Sequence, residues 1–298
     1  MFSTKKIKWV LPILIGMLIL SACSTGNENE ASNSDDTAGE DKGEIELTLV
    51  NWATEIASTN VISLVLQEAG YDTVLTPVDL SPMWLGVAQG DVDGFVAGWL
   101  PTDMKNEYEE YGDDVVDLGP NMEGNKTGLA VPDYVDVTSI EEVNSDNFDE
   151  IIGIDAGSGL NQATEDMIEE YDTDIDLVDS SDAAMMATLG DAINNEEPIV
   201  FTAWQPHWMF EAYDIRFLDD PKGVYEEDGS IHTMVREGLE EDEPEAYQIL
   251  DNFYWESDDM NSVMIDIEQN DMEPEEAAQK WIDNNRDKVD EWLDVDSE

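Results

Sequence analysis

The chain has 298 residues, and 72 acidic against 12 basic side chains give it a formal net charge of −60. A surface this negative repels nucleic acid, so the composition excludes that class of partner. Repulsion among so many carboxylates is screened within about 3 Å at 1 M salt, so the charge predicts a halophilic protein that faces a very saline exterior.

The first 23 residues predict export. Three lysines precede an apolar stretch at residues 9–20, which is too short to span a membrane as a helix. The segment LSAC at residues 20–23 looks like a bacterial lipobox, which implies a signal peptide at residues 1–22 and a lipid on Cys23. An ordinary signal peptide followed by a chance cysteine is the alternative. Cys23 is the only cysteine, so no internal disulfide is possible and no thiol remains for catalysis or a metal.

Residues 23–44 predict a flexible, lipid-anchored tether, because they contain almost nothing apolar to offset the entropy of ordering. The remaining residues, 45–298, are enough for two lobes with cores of their own. They contain no second long apolar run. We therefore expect the folded body to lie outside the membrane, on its extracellular face.

The first half of the body predicts strand, helix, strand, helix, strand. A short β-prone run at residues 45–50 ends at Trp52, and a helical pattern from about Thr54 stops at Gly70. The later elements are a strand at residues 72–78, a helix capped by Ser81, and a strand at residues 95–99 that ends at Leu100-Pro101.

The same order recurs in the second half. Its predicted strands lie at residues 151–155, 175–178 and 199–204, and its predicted helices at residues 161–171 and 182–189. A glycine-rich loop at residues 156–160 follows the first of these strands, and the motif Trp-X-Pro closes both halves, at Trp99 and at Trp204. Repeated βαβ units of this kind predict two similar α/β lobes.

Two extended stretches predict how the lobes join. Residues 127–132 suit a first crossing between the lobes, and residues 230–235 a return crossing. The sequence therefore predicts one lobe from residues 45–131 and 232–298 and another from residues 132–231. A last helix from Pro274 to Leu293 has one apolar stripe, which we expect to pack on the first lobe. Two lobes with two crossings predict a hinged clamp.

Three tryptophans stand where buried strands are predicted to end: Trp52, Trp99 and Trp204. Large aromatic side chains at the carboxyl ends of strands face a crevice more readily than a core. Several indole faces around one crevice favour a soft, methylated cation, because the ring quadrupole attracts a charge that is cheap to desolvate. Trp84, Trp281 and Trp292 lie on helical stripes instead and are predicted to be core.

Several motifs resemble those of glycine betaine-binding lipoproteins, the receptors of osmoprotectant ABC importers. They are WATEIASTNV at 52–61, PMW at 82–84, GWLP at 98–101, GIDAGSG at 153–159 and WQPHWMF at 204–210. The resemblance implies a two-lobed, type II periplasmic-binding-protein-like α/β fold, each lobe a mainly parallel sheet flanked by helices. It also implies separate permease and ATPase subunits as partners.

The resemblance further implies the site. Trp52, Trp99 and Trp204 would form a prism around the quaternary ammonium group, and the backbone amides of Gly159 and Leu160 would hold the carboxylate. Some family members place a histidine shortly after the W-L-P motif. Here Thr102, Asp103 and Met104 follow it, so that contact is missing.

Choline is the alternative ligand, because Asp155 or Asp103 would suit its hydroxyl group. His207 and Trp208 are further candidates for ligand contact or for support of Trp204. A non-transport sensor lipoprotein is a less favoured function. An enzyme is not expected, since no Gly-X-Ser-X-Gly, His-Glu-X-X-His or phosphate-loop lysine occurs. No cofactor or metal is expected either, because the aspartates at 172, 174 and 176 lack the glycine and closing glutamate of a calcium loop.

Overall fold

The computed structural model describes residues 42–101, 103–225 and 229–295. The signal peptide, Cys23 and the tether up to residue 41 lie outside the described residues, so the predictions made for them stay predictions. Among the residues that are described, no helix is both long and apolar enough to cross a membrane.

The strands of the described residues form one hydrogen-bonded sheet in the order β2-β1-β3-β9-β4-β7-β5-β6, with β8 paired to β4. They are β1 Glu44–Leu49, β2 Asp72–Pro77, β3 Gly94–Leu100, β4 Val115–Pro132, β5 Ile151–Ile152, β6 Leu177–Val178, β7 Val200–Gln205, β8 Ile215–Phe217 and β9 Gly229–Arg236.

Helices cover much of the remaining described chain. They are α1 Ala53–Ala69, α2 Leu80–Ala88, α3 Lys105–Tyr111, α4 Gly159–Tyr171, α5 Asp182–Asn195, α6 Met209–Ala212, α7 Leu239–Asp242, α8 Pro244–Asn252, α9 Ser257–Asn270, α10 Pro274–Asn284 and α11 Arg286–Trp292. The predicted α/β order of both halves is confirmed, although β5 is shorter than expected and α5 longer.

The long strand β4 changes partners along its length. Residues 115–125 pair antiparallel with β9, whereas residues 126–132 pair with β7 and β8. We call β1, β2, β3, β9 and residues 115–125 of β4 the first strand group, and β5 to β8 with residues 126–132 of β4 the second strand group. The predicted return crossing at residues 230–235 is corrected, because β9 pairs only with β3 and the first part of β4. The chain therefore returns before Gly229.

Helix boundaries follow local chemistry. Helix α1 ends where Gly70 adopts a left-handed conformation, with φ at 104°, and its N–H reaches the carbonyls of the last turn. The cap predicted for α2 is wrong: the helix begins after Asp79, and the Ser81 hydroxyl donates instead to Glu107 at 3.0 Å.

The predicted last helix is broken at Asn285, whose dihedral angles are not helical. Its side-chain amide donates to the Trp281 carbonyl oxygen at 2.8 Å, a local bond that competes with continuation of the helix. The apolar stripe survives the break, since Trp281 and Trp292 stack with ring centroids 5.6 Å apart. Helix α10 packs on α1 and α9. As predicted, Trp84, Trp281 and Trp292 belong to the core.

Candidate functional site

One pocket brings together the three tryptophans that end strands. Trp52, Trp99 and Trp204 are 8%, 4% and 5% exposed. Their pocket has an almost wholly apolar surface, and about 340 Å³ of empty space lies within it and in the solvent at its mouth. Its other lining residues are Asp103, Met104, Thr127, Ile154, Ser158, Gly159 and Leu160. Both strand groups and the start of α4 therefore contribute walls to the same pocket.

The sheet explains why these indoles meet. Trp52 follows β1 and precedes the first residue of α1, with extended dihedral angles (φ −103°, ψ 145°). Trp99 is the second-last residue of β3, and Trp204, near the end of β7, pairs with Thr127 of β4. Strands β3 and β7 run in opposite directions, and the register places both of their carboxyl ends beside residues 123–126 of β4. The carboxyl ends of the two strand groups therefore face each other there, which is where an α/β protein forms its binding crevice.

The first turn of α4 forms the polar end of the pocket. Ser158 is the cap, and its hydroxyl accepts a hydrogen bond from Asn161 N at 3.2 Å. Gly159 and Leu160 are the first two helical residues, whose N–H groups have no acceptor within the helix. The Asn161 side chain bonds both backbone polar groups of Ile154 at 3.0 Å, so the glycine-rich loop is held against the end of β5.

Gly159 lies in very close contact with the chain after β3. A Cβ atom at this position would be 1.6 Å from the Asp103 carbonyl oxygen, so only glycine permits the observed approach. Met104 is fully buried beside it and accepts a hydrogen bond from Trp84 Nε1 at 3.4 Å. Asp103 and Met104, which follow the W-L-P motif closely, thus both line the pocket.

Two carboxylates, one in the loop after β5 and one at the start of α5, hold the segment that carries Trp52. The Trp52 indole N–H donates to Asp155 Oδ2 at 2.8 Å, and Ala53 N donates to Asp182 Oδ2 at 2.9 Å. Asp155 is therefore engaged with the cage. Asp182 was not singled out by the sequence, because its partner lies 129 residues away and no local motif marks such a contact.

His207 and Trp208 support the pocket from behind. The His207 ring packs edge-on against Trp204 with centroids 4.6 Å apart, and Trp208 stacks on His207 at 5.7 Å. Neither side chain lines the pocket itself. His207 is completely buried, and its Nε2 lies 3.3 Å from Asp182 Oδ1. The interpretation of these residues as supports for Trp204 therefore fits the geometry better than ligand contact.

The other histidine lies elsewhere. His232 Nδ1 contacts Asp117 Oδ1 at 2.8 Å and its Nε2 contacts Ser230 Oγ at 2.8 Å, on the first strand group. Burial raises the pKa of Asp117, but the hydrogen bonds from His232 and Gly119 N outweigh it, so the net shift is downward. These residues do not line the tryptophan pocket.

A second buried acid stands at the start of α1. Glu55 is completely buried, and its Oε2 accepts a hydrogen bond from Val50 N at 2.5 Å. Burial raises the pKa of Glu55 well above its usual value, and the hydrogen bond from Val50 opposes this shift only in part. Glu55 thus joins the start of α1 to the end of β1 and does not line the pocket.

A sheet with an apolar pocket at the junction of two strand groups matches the α/β solute-binding proteins of the type II periplasmic class. The family model of the substrate-binding domain of ABC-type glycine betaine transport systems, OpuAC, matches residues 43–284. The chain belongs to this family, and the fold class and family expected from the sequence are confirmed.

Individual proteins of known class are also similar to this chain. The glycine betaine/carnitine transport binding protein GbuC of Listeria monocytogenes is 53% identical over 147 residues, 48% of this chain and 49% of that protein. The matched part thus spans about half the length of this curated relative. The crystal structure of lactococcal OpuAC in its closed-liganded conformation with glycine betaine is 43% identical with a TM-score of 0.82, covering 84% of this chain and 99% of that one. An ABC-transporter choline-binding protein in complex with choline is 26% identical with a TM-score of 0.77, covering 86% and 93%.

Proposed function

We propose that this protein is an extracellular receptor that delivers glycine betaine, or a related methylated osmoprotectant, to an ABC importer. The observation that carries the proposal is the convergence of three indoles and one helix start on a single pocket. Glycine betaine has a soft cationic end and a carboxylate end, and the pocket offers a different surface to each. The family to which the chain belongs supports the same ligand class.

The cationic end would be held by Trp52, Trp99 and Trp204. Each well-placed indole face contributes about 0.5–2 kcal/mol to binding a desolvated cation. The almost wholly apolar wall suits methyl groups, which need no hydrogen-bond partner. No lysine or arginine among the described residues lines the pocket, so none of them places a fixed positive charge in competition with the ligand.

The carboxylate end would be held by the backbone amides of Gly159 and Leu160. The start of a helix carries about half a positive charge and offers N–H groups without intrahelical acceptors. Helix α4 has 13 residues, enough for this field to develop. The Ser158 cap and the Asn161 bonds to Ile154 fix the direction of these amides before a ligand arrives.

Choline is the second candidate ligand, and the presence of Asp103 in the pocket wall favours it. A carboxylate repels a ligand carboxylate but accepts a hydrogen bond from a hydroxyl group. Asp155 supports choline less, because its Oδ2 already accepts from the Trp52 indole.

The remaining assignments rest on the sequence and the family. We propose that Cys23 is lipidated and anchors the protein at the extracellular face of the cytoplasmic membrane, and that membrane permease and ATPase subunits receive the ligand. The predicted division into two lobes, residues 45–131 with 232–298 and residues 132–231, is supported by the change of strand partner within β4, whereas the pairing of β9 moves the second boundary to before Gly229. The protein is proposed to bind its ligand without chemical conversion, as a transport receptor rather than an enzyme.

Calorimetric titration at molar salt with three ligands tests both ends of the site. Glycine betaine should bind one to one. Choline lacks the carboxylate, and 3,3-dimethylbutanoate replaces the ammonium nitrogen with carbon, so each should bind at least about tenfold more weakly. Equal binding of 3,3-dimethylbutanoate would reject recognition of the charge by the indoles. Tighter binding of choline than of betaine would favour the second candidate, and no binding of any of the three would refute the proposed function.

A further inference from the structure

Helix α1 begins without a cap of its own. Its N-cap residue is Trp52, whose side chain makes no capping hydrogen bond. The N–H of Ala53, the first helical residue, instead donates to Asp182 Oδ2 at 2.9 Å. Asp182 is only 4% exposed and is the first residue of α5, which lies in the chain between β6 and β7 of the second strand group. A carboxylate from one side of the pocket therefore completes a helix that belongs to the other side.

The second oxygen of this carboxylate faces His207. Nδ1 of His207 accepts a hydrogen bond from Met209 N at 3.1 Å, so the ring proton of the neutral form belongs on Nε2. Nε2 lies 3.3 Å from Asp182 Oδ1. The same imidazole packs edge-on against Trp204. Asp182 thus accepts a hydrogen bond from the residue after Trp52 through one oxygen and lies in contact with the support of Trp204 through the other.

We propose that Asp182 is a positioning residue of the ligand site, which joins two walls of the tryptophan cage across the cleft and prolongs the bound state. This inference rests on the proposed function. Trp52 is held twice across the cleft, by Asp155 through its indole and by Asp182 through the next backbone N–H. Both bonds form only when the two strand groups meet, and both carboxylates must release the α1 segment before a ligand can leave.

The chemistry favours an effect on ligand release more than on ligand capture. A hydrogen bond between a helix start and a carboxylate is charge-assisted, and breaking it on opening leaves a carboxylate to be hydrated. The bond is absent while the cleft is open, so the encounter with the ligand does not depend on it. Differences among closely related complexes arise mostly in the dissociation rate.

Ala53→Pro tests the bond directly, because proline removes the N–H donor and leaves Asp182 and His207 in place. The site tolerates proline, since Ala53 is the first helical residue and Trp52 has the extended conformation that a following proline requires. The measurement is stopped-flow tryptophan fluorescence of the mature protein, with betaine release and association rates determined separately. Asp182→Ala is the companion variant. Asp191→Ala, an exposed position on the same helix, is the control for loss of one negative charge.

We expect Ala53→Pro and Asp182→Ala each to speed betaine release about 10- to 100-fold, as for loss of a hydrogen bond to a charged group, with little change in association. The double variant should release no faster than the more affected single variant, because both remove one bond. Asp191→Ala should match wild type. Ligand-free melting temperature of Ala53→Pro should be unchanged, which a purely structural role would not allow. Should Ala53→Pro fail to fold, Asp182→Ala against Asp191→Ala decides.

The inference would be overturned if Ala53→Pro released betaine at a rate within twofold of wild type. If that variant is unfolded, the same criterion applies to Asp182→Ala. Multiplicative effects in the double variant would also overturn the inference. Wild-type protein that binds no betaine would instead reject the proposed function, so the two failures are distinguishable.

Discussion

Replacing Gly159 with alanine adds one methyl group where the start of α4 meets the chain after β3. The new Cβ would lie 1.6 Å from the Asp103 carbonyl oxygen, whereas ordinary contacts begin at 3.4 Å, so one of the two segments must retreat by about 1.8 Å. N–H···O bonds extend over about 2.7–3.2 Å, so a shift of this size separates the amides of Gly159 and Leu160 from a carboxylate held by the tryptophan cage.

The expected loss of affinity follows from those two bonds. Each charge-assisted hydrogen bond contributes about 1.5–3 kcal/mol, so betaine binding should weaken by about 3–6 kcal/mol, or roughly 100- to 10,000-fold. The ligand-free protein should keep its stability if its cleft opens and separates the start of α4 from Asp103, because Gly159 has no positive φ and alanine is the better helix former by up to about 1 kcal/mol. Titration calorimetry and thermal unfolding of the ligand-free protein measure the two effects separately.

Gly157→Ala is the matched control from the same loop. Gly157 has φ at 86° and no heavy atom within 4 Å of the new methyl group, so this variant should lose about 1–2 kcal/mol of stability through backbone strain and keep most of its affinity. The two variants are therefore expected to show opposite patterns. Betaine affinity of Gly159→Ala within threefold of wild type would refute the reasoning from this contact.

Three further predictions concern the cage, a buried acid and the surface. Trp99→Ala should weaken betaine binding by about 1–3 kcal/mol in calorimetry, and an unchanged dissociation constant would remove Trp99 from the site. Burial raises the pKa of Glu55 above its usual 4.5, so the folded protein retains a proton that the unfolded chain releases, and stability falls as pH rises from about 4.5 towards that raised pKa. Glu55→Gln removes this dependence on pH. In chemical unfolding, the free energy of unfolding of the variant should therefore rise relative to that of wild type between pH 5 and pH 8. A difference that stays constant over this range would contradict the raised pKa. Thermal unfolding midpoints should rise with sodium chloride because of the net charge of −60, and midpoints that fall would refute the halophilic interpretation.

The sequence predicted those features of the site that have a local signature. Trp99 and Trp204 each close a buried strand in the same Trp-X-Pro setting, and the structure places both in one pocket with Trp52. The glycine-rich loop likewise predicted a helix start at Asn161, and the structure places it two residues earlier, at Gly159. Their assignment as the binding residues stays a prediction until a ligand is tested.

Contacts between distant segments had no such signature. The bond from Ala53 N to Asp182 joins two helix starts, and neither partner belongs to a motif that requires the other. The pairing of β9 between β3 and β4 was missed for a related reason: alternation predicts a strand but not its neighbours. The break at Asn285 depends on one side-chain hydrogen bond that the apolar periodicity does not register.

The position of β9 also has a consequence for synthesis and export. This strand lies between β3 and β4, yet residues 229–236 follow every strand of the second group in the chain. The wall that carries Trp204, Gly159 and Leu160 can be assembled from one continuous stretch as it emerges. The sheet beneath Trp52 and Trp99 stays incomplete until the chain has passed Arg236, so a receptor truncated before that residue would retain half of its pocket and bind nothing.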